Sequence, residues 1–530
     1  MNPADLVPGE VLPLTRRLSG CPDPIALFDA VCDGGRKPNT VLLESAEIGE
    51  RGEQSILVVQ SAVRLECRGN EVVFRSLSPA GHDVLPWLAS RLDGMAETST
   101  ASESLLARFP GVPTHTNVDD RITAPSAVDA IRTLATGWHF ASRPATTSLL
   151  VAGAFAYDLL EQFETLPPAK TDPLDFPDFV FWLPQVTIIL NHKQKNTLIL
   201  SNVFGGAHAQ TSYSDAAVAI EQLATVCTDI AAQPTVTLPE LSRSEGTAQV
   251  DMSDVEYAQA VRSLKERVVA GDVFQIVPSR TFSAPCADPL AAYARLRAQN
   301  PSPYMFYLKD SGFTLFGASP ETCVRVTGRP QQVEITPIAG TRGRGKKKDG
   351  SIDLDLDGRL EAELRLDKKE LAEHMMLVDL ARNDVARVCV PGSRHVPNLL
   401  SIARYSEVMH LVSRVVGELR PGFDALHAYI ASMNMGTLVG APKIKAAQIL
   451  RETERGKRGP YGGAVGYITA DGDMDTAIVI RSTLVKDDIA YVRAGAGVVY
   501  DSEPMSEAIE TRRKARAVLS ALGHNLEVSP

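Results

Sequence analysis

The chain has 530 residues, 44% of them hydrophobic and 22% charged, enough for more than one core and a length that suggests roughly two to four domains. A formal net charge of -10 and a pI near 5.6 argue against a nucleic-acid backbone as partner. The seven scattered cysteines form no CxxC pair, the N-terminus shows no signal-peptide pattern and no window holds 18 apolar residues, so a soluble cytoplasmic protein with free thiols is expected.

Residues 22–36 read as a short helix ending at Gly34-Gly35, and 40–46 as a strand that stops in polar residues. Strands follow at 55–59, 62–67 and 71–75, the last two joined by a Gly69-Asn70 turn, as in an antiparallel meander. Residues 84–106 read as weakly patterned helix, 107–127 as a loop, and 126–134 as a helix preceded by Pro125. The run 146–163 is apolar and rich in small residues, and is expected to be a closely packed buried helix. Strands are expected at 179–190 and 197–204, an amphipathic helix at 211–229, and a Thr-, Pro-, Ser- and Glu-rich linker at 230–252.

Beyond the linker, Ser253-x-x-Glu256 is a capping box that opens a helix reaching about Ala270. Residues 272–279 are strand-like and 287–299 helical; further strands are expected at 306–308, 313–317, 323–326 and 332–338. The last of these runs into Ala339-Gly-Thr-Arg-Gly-Arg-Gly345, which lacks the phosphate-loop spacing. Its glycines permit close backbone approach, and Thr341, Arg342 and Arg344 offer donors to an anionic oxygen. A flexible basic loop continued by Lys346 to Lys348 is the other reading.

Residues 368–384 read as a helix with Leu371, Leu377, Val378 and Leu380 on one side. His410 lies in a strand-like alternation, where a histidine is more often structural than catalytic. Residues 434–443 form a glycine-containing turn into a helix at 443–453, with Thr437 and the turn N–H groups as a candidate anion site. Strands at 460–467 and 474–481 follow, the second delivering Arg481; 491–499 carries the small residues Ala494 to Gly497, and 503–521 closes the chain as a helix.

Glu370 and Glu373 share one helix face, and Glu507 and Glu510 repeat that spacing on the last helix. Neighbouring carboxylates repel, so each pair needs solvent or a cation. If the two helices face each other, four carboxylates surround one point. With no thiolate or histidine cluster beside them, such an all-oxygen site suggests Mg²⁺ rather than zinc. Arg481, Lys514 and the glycine-rich turns add positive potential, so the whole reads as a pocket for a small polyanion such as a di- or tricarboxylate or a phosphate ester.

The stretches PIAGTRGRG (337–345), ELAEHMMLVDLARND (370–384), VMHLVSRVVGE (408–418), MGTLVGAPK (435–443), YGGAVGY (461–467), DTAIVIR (475–481) and AGAGVVYDSEP (494–504) resemble the chorismate-utilising enzymes, in particular their anthranilate synthase branch. The likeness extends over nearly the whole chain. It implies an α+β fold, a large two-layer antiparallel β-sheet and helix assembly around a cleft. An N-terminal regulatory part at 1–229 would be interleaved with a chorismate-binding catalytic part at 253–522. It implies a lyase of tryptophan biosynthesis that converts chorismate and ammonia to anthranilate and pyruvate through an aminodeoxyisochorismate intermediate, with Mg²⁺.

Carried over to matching positions, the resemblance makes Glu373 and Glu510 direct Mg²⁺ ligands supported by Glu370 and Glu507. Tyr461 and Arg481 would bind the enolpyruvyl carboxylate, where a guanidinium fork suits a planar acid. Thr437, Gly340, Ala496 and Gly497 would contact substrate, and Lys514 would tune the carboxylates. Thr341 and Glu321 would lie near the C4 hydroxyl, Glu321 as its proton donor, and His410 would act in pyruvate elimination. Isochorismate and salicylate synthases carry a water-activating lysine where this chain has Gln275, and aminodeoxychorismate synthases read PIKGT where this chain has Ala339; both positions favour anthranilate synthesis. Gly343 departs from the proline common in the family. The segment Leu42 to Ser45 and the loop 300–306 resemble a tryptophan feedback site built from Glu44, Ser45, Pro303 and Met305. No cysteine sits in a nucleophile-elbow context, so a separate glutamine amidotransferase subunit is the expected ammonia source, in a heterotetramer of two of each.

Overall fold

In the computed structural model, which describes residues 2–45, 54–113, 117–142, 149–232, 248–347, 349–405 and 408–524, the strands expected at 55–59 and 62–67 are one, Gln54–Arg68. Register shifts between Val58 and Val63 bend this strand where it pairs with Phe179–Asn191. Residues 233–247 of the expected linker, residues 114–116 of the expected loop, residues 146–148 of the expected buried helix, residue 46 and Lys348 lie outside the described residues.

The described strands form one hydrogen-bonded network of 23, with a separate two-stranded pair, Gln275–Ile276 with Gly440–Ala441. Its pairings are antiparallel except for the short contact of Glu10 and Val11 with His139 and Phe140. The network crosses the sequence boundary at the linker twice. Thr40–Glu44 pairs with Tyr304–Lys309, placing Glu44 opposite Met305. Leu150–Phe155 pairs with Ala464–Thr469, placing Phe155 opposite Ala464. Side-chain packing crosses as well: the Phe155 and Tyr429 rings stack at 3.9 Å within a single apolar cluster.

The run 146–163 is not a helix. It forms the strand Leu150–Phe155 and a 3₁₀ turn, Tyr157–Gln162. Its small residues serve sheet packing, because a Cβ on Gly153 would lie 2.1 Å from the Val180 carbonyl oxygen and 2.6 Å from the Phe181 ring. The expected helix at 84–106 is Pro79–Leu92 followed by the strands Glu97–Ala101 and Ser104–Arg108, and the loop after it contains the short helix Val118–Thr123. The glycine-rich stretch after Ile338 is a strand, Ile338–Gly343, paired with Val408–Glu418 so that Thr341 faces His410. The strand expected at 460–467 begins only at Ala464, and the one at 474–481 ends at Ile478. The Ser253 capping box forms both of its bonds, at 2.7 and 3.3 Å, and opens the helix Asp254–Val269. Among the described residues no helix is long and apolar enough to cross a membrane.

Candidate active site

The helix Lys368–Val388 is capped by Asp367, whose carboxylate accepts from the Lys369 and Glu370 backbone amides. Leu377, Val378, Ala381 and Val385 bury one face against the core, which leaves Glu370 and Glu373 half-buried on another face. The helix Pro504–Ala521 starts at its own cap, Glu503, and buries Ala508, Thr511, Ala515 and Val518. Glu507 and Glu510 stay half-buried beside that stripe. The two carboxylate pairs share one electrostatic field. Glu507 is influenced by Lys369 of the first helix, and burial lowers the Lys514 ammonium while Glu510, Glu373 and Glu507 all act on it. Lys514 Nζ donates to the Gly495 carbonyl at 3.0 Å and lies 3.8 Å from Glu510.

No three His, Cys, Asp or Glu groups converge at metal-ligating distance among the described residues. Glu373 accepts from Gln275 Nε2 at 2.9 Å, and Glu370 from Arg342 at 3.2 Å. The donor set, carboxylate oxygen without sulfur or imidazole, fits a hard dication such as Mg²⁺, and holding one requires the glutamate side chains to draw closer together than they lie here. Arg342 and Arg344 are not open donors for a ligand. Arg342 holds Asp367 at 2.6 Å as well as Glu370, and Arg344 makes a two-pronged pair with Asp357 at 2.8 and 2.9 Å.

Glu321 sits where the strand Thr322–Thr327 begins, its carbonyl accepting from the Ile478 amide at 3.0 Å. Its carboxyl is buried and accepts from Thr437 Oγ1 at 3.1 Å. Burial pushes this carboxyl up to about 8, against the opposing effects of Thr437 and Lys514. Thr437 thus gives its hydroxyl to Glu321, and lies in the four-residue helix Gly436–Val439. Gly440 ends that helix at φ 124°, where a Cβ would lie 2.1 Å from the Gln275 carbonyl oxygen.

His410 Nδ1 lies 2.9 Å from Thr341 Oγ1 and 3.3 Å from the Gly340 carbonyl oxygen. The carbonyl only accepts, which favours the tautomer protonated at Nδ1 and leaves Nε2 as an acceptor. Burial pushes the imidazole down to about 4; the Gly340 carbonyl opposes this and Arg481 adds to it. Arg481 adopts φ 49° and donates to the Lys514 carbonyl at 3.4 Å, with its own charge disfavoured by burial. Tyr461 is buried in the field of Arg458, Arg493 and Arg481. A Cβ on Gly495 would lie 3.1 Å from the Tyr461 hydroxyl, and one on Gly497 2.7 Å from Gln275 Nε2. The Ala496 amide faces the Pro278 carbonyl and the Tyr257 hydroxyl. The structure therefore brings Glu321, Thr437, Thr341, His410, Arg481, Lys514 and the four glutamates into one region, linked by direct contacts or shared fields.

Three arrangements were not read from sequence. Gln275 grips Glu373. Lys443 pairs with Asp384 at 2.6 Å. The buried Glu454 accepts from Arg458, Arg493 and Ser279, anchoring the strands behind Tyr461. Glu373, Asp384 and Lys443 lie within the quoted motifs, whereas Gln275 and Glu454 lie outside them, and each contact depends on the fold.

Glu44, Ser45, Pro303 and Met305 line one cavity of about 300 Å³, together with Arg325, Tyr467 and Asp475. Ser45 Oγ is buried there without a partner among the described residues. The Glu44 carboxylate is already engaged, accepting from the Tyr293 hydroxyl and lying 3.1 Å from Arg297.

A family model described as chorismate binding enzyme matches residues 98–520. Anthranilate synthase component 1 of Vibrio cholerae is 49% identical over 94% of both chains, and that of Escherichia coli K12 is 48% identical with the same coverage. The solved anthranilate synthase component I of Streptococcus pneumoniae superposes with a TM-score of 0.68 at 27% identity, covering 89% of this chain and 93% of that one. The menaquinone-specific isochorismate synthase of Escherichia coli shares the fold at a TM-score of 0.68 and 16% identity, covering 98% and 95%. The chain belongs to the chorismate-binding enzymes and, within them, to the family of anthranilate synthase component 1. Its fold is the α+β architecture of that class.

Proposed function

We propose that the protein is a synthase subunit that converts chorismate and ammonia to anthranilate and pyruvate. The observation that carries this reading is the buried carboxyl of Glu321, raised to about 8 by burial and bonded to Thr437, in a region that also holds a neutral His410 and the paired glutamates. Arg481 and Tyr461 bind and orient the enolpyruvyl carboxylate. Glu373 and Glu510, with Glu370 and Glu507 in support, would hold Mg²⁺, which would supply positive charge against the ring carboxylate. Glu321 gives its proton to the C4 hydroxyl, which leaves as water with the C–O bonding pair. Gln275 is an amide and takes no proton from water, which supports ammonia, a neutral base as it stands, as the nucleophile. In the second half-reaction the imidazole of His410, steadied at Nδ1 by Thr341 and Gly340, exchanges a proton at Nε2 as pyruvate departs.

Ammonia in this reading comes from glutamine through a partner amidotransferase, two of each subunit forming a cytoplasmic heterotetramer. Tryptophan occupies the cavity at Ser45 and Met305 and inhibits through a coupling between that cavity and the cleft. The deciding experiment incubates the purified chain with chorismate, Mg²⁺ and an ammonium salt near pH 8, with and without tryptophan. Fluorescent anthranilate with equimolar pyruvate, suppressed by tryptophan, is the expected outcome. Aminodeoxychorismate without pyruvate would assign the chain to a different amination, and no consumption of chorismate would end the enzyme reading.

A further inference from the structure

Glu321 starts each turnover with a proton and ends the first half-reaction without it, in a buried position whose one hydrogen-bond donor among the described side chains is Thr437. Something must return that proton. Glu321 and Asp384 line one narrow crevice together with Ala381, Met435, Gly436 and Thr437. The crevice is just large enough for a single water, and carboxylates on its wall supply the polar partners a water needs. Asp384 is itself buried, and Lys443 is its side chain's one hydrogen-bond donor among the described residues. Lys443 also donates to the Ser432 carbonyl at 2.9 Å and keeps 13% of its side chain exposed. The buried Cys323 thiol, raised chiefly by burial, also feels the charges of Lys443, Glu321 and Asp384. The remaining charges facing the pair are Arg387 toward Asp384 and Lys514 toward Glu321.

We propose that Asp384 and Lys443 form a proton return path that recharges Glu321 through one water in this crevice, which rests on the reading of Glu321 as donor to the leaving hydroxyl. Lys443 passes an N–H proton to Asp384, Asp384 passes a proton to the water, and the water passes one to the Glu321 carboxylate. Neutral Lys443 then takes a proton from solvent at its exposed edge. No electrons change hands, and each O–H or N–H bond broken is matched by one formed. Burial raises the Asp384 carboxyl, which brings it closer to Glu321 in proton affinity and so eases the transfer between them.

The test follows ammonia-dependent turnover of chorismate by the full chain with Mg²⁺. For Asp384→Asn, kcat should fall about 10- to 100-fold with the chorismate KM within about twofold of the parent. Added formate should restore kcat in proportion to the concentration of its anion, since a small carboxylate replaces the missing one as acceptor from Lys443. Ala381→Val narrows the crevice without touching a charge and should lower kcat in the same direction, so the idea stays testable even if Asp384→Asn fails to fold. Parent-like kcat and pH profile in both variants would overturn the relay, as would a loss in Asp384→Asn that formate leaves unmoved and a raised KM accompanies. The parent protein is the control: if it makes no anthranilate, the reading of Glu321 falls and the relay with it, whereas an active parent with indifferent variants removes the relay alone.

Discussion

Gln275 and Glu373, 98 positions apart, are joined by a 2.9 Å bond from the amide Nε2 to the carboxylate Oε1. The amide holds one oxygen of the carboxylate that the proposed function assigns to Mg²⁺, and Gly497 has no Cβ because the amide occupies that space. Gln275→Leu should therefore weaken Mg²⁺ binding about 10- to 100-fold, the usual effect of losing a group that orients a metal ligand. Calorimetric titration with Mg²⁺ measures this directly, and an unchanged affinity would show that Glu373 orients itself.

Glu321 carries two linked expectations. An unfolded chain releases this proton near 4.5, while the native site holds it to about 8. Between those values folding requires proton uptake, so the group's contribution to stability declines as pH rises through that window. Glu321→Gln removes the ionisation. Its melting temperature should exceed the parent's at pH 8 and converge with it toward pH 5, while turnover drops by about 10²-fold or more. Identical melting curves at both pH values would show that the carboxyl is not held protonated.

For His410, the imidazole pushed down to about 4 stays neutral through the physiological range. His410→Asn should consume chorismate with a smaller loss of amination than of pyruvate release, so that an aminated, non-aromatic intermediate builds up. Chromatography of the reaction mixture distinguishes this from a uniform loss of both steps, which would remove His410 from the elimination.

In the cavity of about 300 Å³, Ser45 Oγ is buried and has no partner among the described residues. Ser45→Phe fills that space. Each variant's rate in saturating tryptophan, divided by its own uninhibited rate, should approach one, and isothermal titration should show tryptophan binding lost. Retained inhibition would place the effector elsewhere.

Arg458 is fully buried and donates to Glu454, to the Leu438 carbonyl and to the Val277 carbonyl. Arg458→Met leaves Glu454 buried with fewer partners, at a cost of about 3–5 kcal/mol. Denaturant unfolding measures the loss, and a change below about 1 kcal/mol would mean that Arg493 and Ser279 suffice to satisfy the carboxylate.

The helices that carry the glutamates were legible from periodicity and spacing, because an amphipathic stripe and a capping residue are local signals. So were the strand bearing His410 and the meander near the N-terminus. The run containing Gly153 was misread because small apolar residues without alternation suit a buried strand and a buried helix equally; the decision lies with Val180 and Phe181, which touch it only after folding. Thr341 in its glycine-rich strand was read as loop for a similar reason, since the partner strand lies about seventy residues away. Site residues were recognisable as motifs, but Gln275 with Glu373 and Asp384 with Lys443 are pairings of distant segments, and nothing in the spacing of either segment announces its partner.

The cavity at Ser45 draws its walls from the early strands Thr40–Glu44 and Gln54–Arg68, the middle strands Tyr304–Lys309 and Thr322–Thr327, and the late strands Ala464–Thr469 and Met474–Ile478. A molecule seated there touches stretches that the unfolded chain separates by hundreds of residues. It binds the native state alone, and so raises the free energy of unfolding by mass action. Occupancy would slow proteolytic loss of the protein in the cell. A metabolite filling this space would therefore lengthen the life of each copy it occupies, whatever it does to the rate.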